Sequence, residues 1–321
     1  MENAKQFIYY ATKAPSGHNS QPWWFKVGEN SIEIHPDLES ALPVVDPRNR
    51  ELYVSLGCAA ENLRMAAAAF GHTTDYDIRK SKKGITFIRI SIKEFDTDSK
   101  KNQLELIEKR QTNRSIYNGE KVANNILDEL KSIQKELDVN AYYFENGSPE
   151  FSVIKEYIKK GNEIQMNDPD FRNELLSWIR FNKSEVKHTN NGLTFKVMGS
   201  PPTPKFIGKR IVASFLTPDK LNKSDIKKID SASHFIVLTT KTDSTLKWIR
   251  MGFYMESLLL KLTELGIPNA YLNPPCEIES LSKGLQKELA INGEHPTILI
   301  RIGYAEKQPI SPRKAVEEVM H

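Results

Sequence analysis

LYVSLGCAAENLRMAAAAFG, residues 52 to 71, and KWIRMGFYMESLLLKLTELG, residues 247 to 266, decide how this chain is organised. Each carries Gly, then Glu four residues on, Leu two further on and a closing Gly eight after that: Gly57, Glu61, Leu63 and Gly71 against Gly252, Glu256, Leu258 and Gly266. Apolar residues cover more than one face of both segments, so both are expected to be buried helices, and the final Gly suits a left-handed C-terminal cap. Strand-like sequence follows each helix: Thr73 to Ile78 and Ile85 to Ile92 in the first half, Ala270 to Leu272 and Thr297 to Gly303 in the second. A further strand pattern, His234 to Thr240, precedes the second helix. The repeat predicts two related α+β halves, with the polar run FDTDSKKN at 95–102 as their boundary.

The chain has 321 residues, 39% of them apolar and 27% charged, which describes a soluble globular protein long enough for two domains. Basic residues number 45 and acidic ones 41, a balance too even to imply a nucleic-acid partner. Two cysteines, Cys58 and Cys276, stand far apart, as in a reducing compartment without a disulfide framework. The N-terminal MENAKQFIYY lacks the basic start and apolar run of a signal peptide, and nowhere do about 18 apolar residues follow one another. A cytoplasmic protein with no membrane partner is the expectation.

An N-terminal helical pattern, Ala4 to Lys13, runs into APSGHNSQPWWF at residues 14–25, where Pro15 stops the helix. Trp24 to Val27 and Ser31 to His35 read as a hairpin around Gly28-Glu29-Asn30. The loop between helix and hairpin is either a plain connection or, with its free N–H groups and short polar side chains, a cradle for an anion or a planar polar ligand. Trp23, Trp24 and Phe25 read as core. Residues 124–136 and 148–181 have helical spacing. Residues 182–219 are turn-rich and mostly aperiodic, either a lid or a disordered insert. RQTNR at 110–114 puts Arg110 and Arg114 on one face if a helix begins there, where the positive end of its dipole favours an anion; alternatively it continues a solvated run from Glu108-Lys109. No GxGxxG, P-loop or HExxH occurs, and seven scattered histidines with two cysteines form no metal set.

APSGHNSQPW, RQTNR, the buried glycine-ended helix and the C-terminal GYAEKQPISPRK at 303–314 together resemble the nitroreductase superfamily of FMN enzymes. The loop precedes the Arg-rich motif here, the reverse of the order in typical single-domain homodimers. That order resembles the Acg-like subgroup, in which two nitroreductase units are fused in one chain and a lid covers the flavin pocket. The resemblance implies an α+β fold of two fused units, each a mostly antiparallel sheet with helices, pseudo-dimeric in one chain. The units would span 1–100 and 105–321, the second including a lid at about 182–219.

The same resemblance implies the site. Arg110, Gln111, Thr112 and Arg114 would hold the FMN phosphate, with Arg313 as a further cation and Lys228 as another basic contact. Pro15, Ser16, Gly17 and Asn19 would reach the flavin from the other unit, Asn19 at the ring edge and Gly17 allowing close approach; His18 matches a variable position. Near N5 this chain has Leu272-Asn273-Pro274-Pro275, and since proline has no N–H, Asn273 is the expected donor. No catalytic side chain is implied, because hydride chemistry belongs to the cofactor. Two functions are compatible with this: an oxidoreductase taking electrons from NAD(P)H to a nitroaromatic or quinone-like small molecule by a ping-pong route, or a protein that sequesters FMN under its lid. One FMN per chain and a monomer are expected, because MGSPPTPKF in the second half is no substitute for the loop and no RQTNR precedes the first helix.

Overall fold

The computed structural model describes residues 3–94, 102–291 and 293–321, so all but the last residue of the polar run at 95–102 lies outside the described residues. Both repeat segments are helices, Arg50–Ala69 and Thr245–Glu264, each with thirteen of its twenty residues buried, which leaves neither a solvated face of any width. Gly71 and Gly266 follow them at φ 81° and 68°, the left-handed termination that glycine adopts without strain.

The two helices touch backbone to backbone. A Cβ on Gly57 would stand 2.1 Å from the Ile249 carbonyl oxygen and 2.8 Å from Gly252 Cα, and one on Gly252 would stand 2.1 Å from the Val54 carbonyl oxygen and 2.7 Å from Gly57 Cα. The contacts are reciprocal: Val54 and Ile249 occupy matching positions of the repeat, as in an isologous contact about a two-fold axis. The Cys58 thiol donates to the Gly252 carbonyl across the crossing at 3.3 Å.

A four-stranded antiparallel sheet accompanies each helix. The first contains Trp23–Val27, Ser31–Pro36, His72–Lys80 and Thr86–Glu94; the second contains Val139–Glu145, His234–Thr240, Asn269–Tyr271 and His295–Ile302. In chain order both run strand, strand, repeat helix, strand, strand, and in space the strands of both lie in the order first, second, fourth, third. His72–Lys80 alternates half-buried with exposed residues, as a strand with one free face does, whereas His234–Thr240 is buried throughout because helices cover it. Trp23 and Phe25 are buried as expected, and Trp24 stacks on His35 at 4.1 Å.

Two expectations need correction. The helical pattern at 148–181 is two helices, Pro149–Asn167 and Pro169–Ser177, followed by a short strand at Ile179–Arg180. Pro169 holds Asp168 out of helical geometry, at ψ 114°, and the Asp168 carboxylate accepts from the N–H groups of Asp170 and Phe171 to start the next helix. The 182–219 segment is largely ordered: it holds helices Lys183–Thr189 and Lys205–Phe215, the strand Leu193–Thr194, paired with Ile179–Arg180, and the start of helix Pro218–Asp230. The C-terminal residues touch the first sheet: Met320 bridges Phe25, and the His321 N–H donates to the Phe25 carbonyl at 2.8 Å.

The glycine crossing makes a testable demand. In an open helix, Gly252→Ala would gain roughly 1 kcal/mol of propensity. Here the added methyl must push two backbones apart, so we expect a net loss of about 1–3 kcal/mol in urea unfolding. Equal or greater stability of the variant would mean that the helices are not locked at this point.

Candidate functional site

One cavity of 290 Å3 lies between the halves, at the small end of the range for ligand pockets. The first half contributes Pro15 to Asn19 and, from its repeat helix, Glu51, Val54 and Ser55. The second contributes Arg110, Gln111, Thr112, Arg114, Leu193, Met255, Tyr271, Asn273 and Ile298, and the C-terminal segment adds Pro309, Ile310, Ser311 and Arg313. Ten of the eleven site residues expected from sequence therefore meet in one place. The eleventh, Lys228, lies near the end of helix Pro218–Asp230 with its ammonium on Asp225 at 2.9 Å, and does not line the cavity.

The loop at 14–22 is wound tightly. His18, Asn19 and Gln21 have φ of 49°, 56° and 55°, three left-handed non-glycine residues that neighbouring contacts must hold. Ser16 Oγ accepts from the Gln21 N–H at 3.0 Å; the Gln21 side chain donates to the Asn190 carbonyl at 2.8 Å and accepts from the Lys314 N–H at 2.8 Å. Asn19 is expected from sequence to face the ring edge, yet its amide is committed within the protein. It donates to the carbonyls of Pro312 at 3.1 Å and Gly192 at 3.3 Å, and its oxygen accepts from Arg313 at 2.9 Å. The space beside Gly17 is taken by neighbouring side chains, a Cβ there standing 2.8 Å from Leu42 Cδ1.

RQTNR does not begin a helix. Helix Asn102–Lys109 ends just before it, and the Arg110 N–H makes the closing bond to the Leu106 carbonyl at 2.9 Å. The arginines thus sit at the negative end of a dipole, where cations are favoured, and the helix lends no positive end to an anion. Asn113 pins the segment: its N–H donates to the Asn269 carbonyl at 2.8 Å and its side chain to the Glu306 carbonyl at 2.8 Å. Gln111 Oε1 accepts from the Gln308 N–H at 2.7 Å.

Three arginines face the cavity with different degrees of commitment. Arg114 is exposed. Arg313 is anchored by its terminal nitrogens to the carbonyls of Lys13 and Ala14 and to Asn19, but its buried Nε has no partner among the described residues. Arg110 donates to the Lys13 carbonyl at 2.7 Å and lies 3.3 Å from the Glu256 carboxylate, both side chains being almost fully buried, while its Nη1 has no partner among the described residues. His18 Nε2 and the Tyr271 hydroxyl are likewise buried without partners among the described residues. Burial and the nearby Arg114 push His18 down to about 4, so it is neutral at physiological pH. Burial and Arg110 push Arg313 down to about 9. Burial pushes Glu256 up to about 7 against the pull of Arg110.

Asn273 lines the cavity, but its side chain is engaged: Nδ2 donates to Glu51 at 3.0 Å and Oδ1 accepts from the Leu299 N–H at 2.9 Å. Residues missed by sequence reading include Glu51 and Ser55, which share a face of the first repeat helix four residues apart, Met255 and Tyr271. Glu256 was singled out only as a repeat landmark.

No family model matches the chain. Over 99% of its length and 91% of the relative's, it is 24% identical to Rv3131 of Mycobacterium tuberculosis, provisionally named an NAD(P)H nitroreductase. It is 23% identical, over 99% of the chain and 95% of the relative, to the acg protein of the same organism, which carries the same provisional name. Among solved structures, the FMN-dependent nitroreductase NfnB of Mycobacterium smegmatis, in complex with NADPH, aligns with 69% of this chain and 98% of its own at 12% identity and a TM-score of 0.44. Similarity to the mycobacterial proteins covers 99% of the chain, which along its length resembles relatives provisionally named NAD(P)H nitroreductases.

Proposed function

We propose that the cavity binds FMN and that the protein is an NAD(P)H-dependent oxidoreductase of nitroreductase type. The observation that carries this reading is the set of buried polar atoms left without partners among the described residues around one cavity: Arg110 Nη1, Arg313 Nε, His18 Nε2 and the Tyr271 hydroxyl. Buried polar atoms without partners are costly, and a ligand with a dianionic group and a polar ring edge would satisfy them. Arg110 and Arg114, with the Thr112 hydroxyl and the Gln111 amide, would hold the phosphate. Ser16 still has its hydroxyl proton to give, and neutral His18 and Tyr271 supply further polar groups for the ring. Val54, Met255, Leu193 and Ile298 give the cavity apolar wall. When bound, the flavin supplies the two-electron chemistry, from NAD(P)H to a nitroaromatic or quinone-like acceptor in a ping-pong cycle.

The proposal includes two nitroreductase-like units in one chain, about 1–100 and 105–321, sharing one flavin site in a cytoplasmic monomer. Equal strand order in the two sheets and the reciprocal glycine contact support it. A second reading, flavin sequestration under a lid at about 182–219, draws on a different observation. Asn190 and Gly192 are clasped by Gln21 and Asn19, and Leu193 lines the cavity, so this segment stands over the site and is tied down.

Two measurements follow. Arg114→Ala should weaken FMN binding about tenfold, the loss of one charge-assisted partner worth roughly 1.5 kcal/mol or more, in a fluorescence titration; an unchanged affinity would remove Arg114 from the phosphate site. Anaerobic NADPH or NADH should bleach the bound flavin within seconds in a working reductase. Bleaching confined to hours would favour sequestration instead.

A further inference from the structure

Glu256 is the repeat glutamate that faces the cavity's cations. Its carboxylate is wholly buried, has no hydrogen-bond partner among the described residues, and lies 3.3 Å from Arg110 Nε. The groups around it come from every neighbouring element. They are Arg110 from the 110–114 segment, Arg313 from the C-terminal segment, Tyr271 from its strand, and Asn62, Glu61 and Cys58 from the first repeat helix. Burial keeps Cys58 and Tyr271 protonated. Glu61 is matched on its own helix by Arg64 at 2.9 Å and accepts from Ser257 at 2.9 Å. Arg110 is therefore the nearest charge that Glu256 has to balance.

An anion entering the cavity changes that balance. Arg110 has one nitrogen on the Lys13 carbonyl, one near Glu256, and Nη1 without a partner among the described residues. A phosphate drawn to Nη1 would share the guanidinium with a carboxylate in a site too dry to screen their repulsion. The carboxylate can relieve this by becoming neutral. Its counterpart Glu61 has no such need, because its arginine comes with it.

We propose that Glu256 is the internal counter-ion of the phosphate site: it balances Arg110 when no anion is present and takes up a proton from solvent when a phosphate engages that arginine. Flavin binding is then linked to proton uptake, and binding weakens as pH rises. The sign is fixed by linkage. A bound dianion raises the proton affinity of a neighbouring carboxyl, and by reciprocity the protonated carboxyl favours the dianion. Because burial already holds Glu256 up to about 7, the exchange falls where a protein normally works. This inference rests on the reading of the cavity as the FMN site, and names Glu256 as a positioning residue for Arg110.

Titration calorimetry of flavin-stripped protein with FMN near pH 7.5, in buffers of different ionisation enthalpy, tests it. We expect uptake of roughly half a proton or more per flavin in the parent, none in Glu256→Gln, and none in the parent with riboflavin, which lacks the phosphate. The parent alone gives a second test that needs no variant: its FMN dissociation constant should rise about three- to tenfold between pH 7 and pH 8.5. FMN binding without proton uptake, with a flat pH dependence, would overturn the counter-ion role and leave the FMN reading standing. Uptake that persists in Glu256→Gln would assign the proton to another group and also overturn it. Failure of FMN to bind the parent at all would overturn both.

Discussion

The close approach of Gly57 and Gly252 is the constraint on which the rest of the structure depends. With no side chain at either position the two central helices meet at their backbones, and every residue a turn or so away is placed by that contact. On one side of the crossing Glu51, Val54 and Ser55 of the first helix and Met255 of the second wall the cavity, with Glu256 set behind Arg110. Thirteen buried residues on each helix hold the crossing in place, so the cavity is fixed by the core.

The crossing is symmetric, but what surrounds it is not. Tyr271, five residues after Gly266, faces the cavity with a hydroxyl that has no partner among the described residues; Tyr76, five after Gly71, donates its hydroxyl to Glu136 at 3.0 Å. Glu256 meets an arginine brought from a separate segment, whereas Glu61 meets Arg64 on its own helix. The position related to the cavity by the repeat is therefore internally neutralised. The C-terminal segment adds to the asymmetry: Arg313 ties the loop at 13–19 to the second half's side of the site, and the last residues extend the first sheet.

Much of this was legible in the sequence because it is local. Strand patterns, the glycine-ended helices and the loop after Pro15 depend on spacing and on the stereochemistry of Gly and Pro, and their bounds differ from the observed ones by a residue or two. What sequence did not give was partnership across long separations. That Asn19 is consumed by Gly192, Pro312 and Arg313, or that Lys228 pairs with Asp225 within its own helix, depends on which neighbours the fold supplies. The helix expected to begin at Arg110 ends there instead, since the apolar positions Leu104 and Ile107 lie before the motif and there is no core-facing stripe after it. The strand Val139–Glu145 went unnoticed although its Tyr-Tyr-Phe run favours strand, because attention fell on the helical patterns at either side.

The proposed site is divided, the first half bringing the loop and the second the arginines, so on the FMN proposal one chain would complete one flavin pocket. The direct measurement is the ratio of flavin released by heat to protein counted by amino-acid analysis, with the mass in solution from light scattering. The account predicts one FMN per chain in a particle of 36.6 kDa. Two FMN per chain would contradict it, because the repeat-related position would then have to bind a phosphate without the arginines that the first position has.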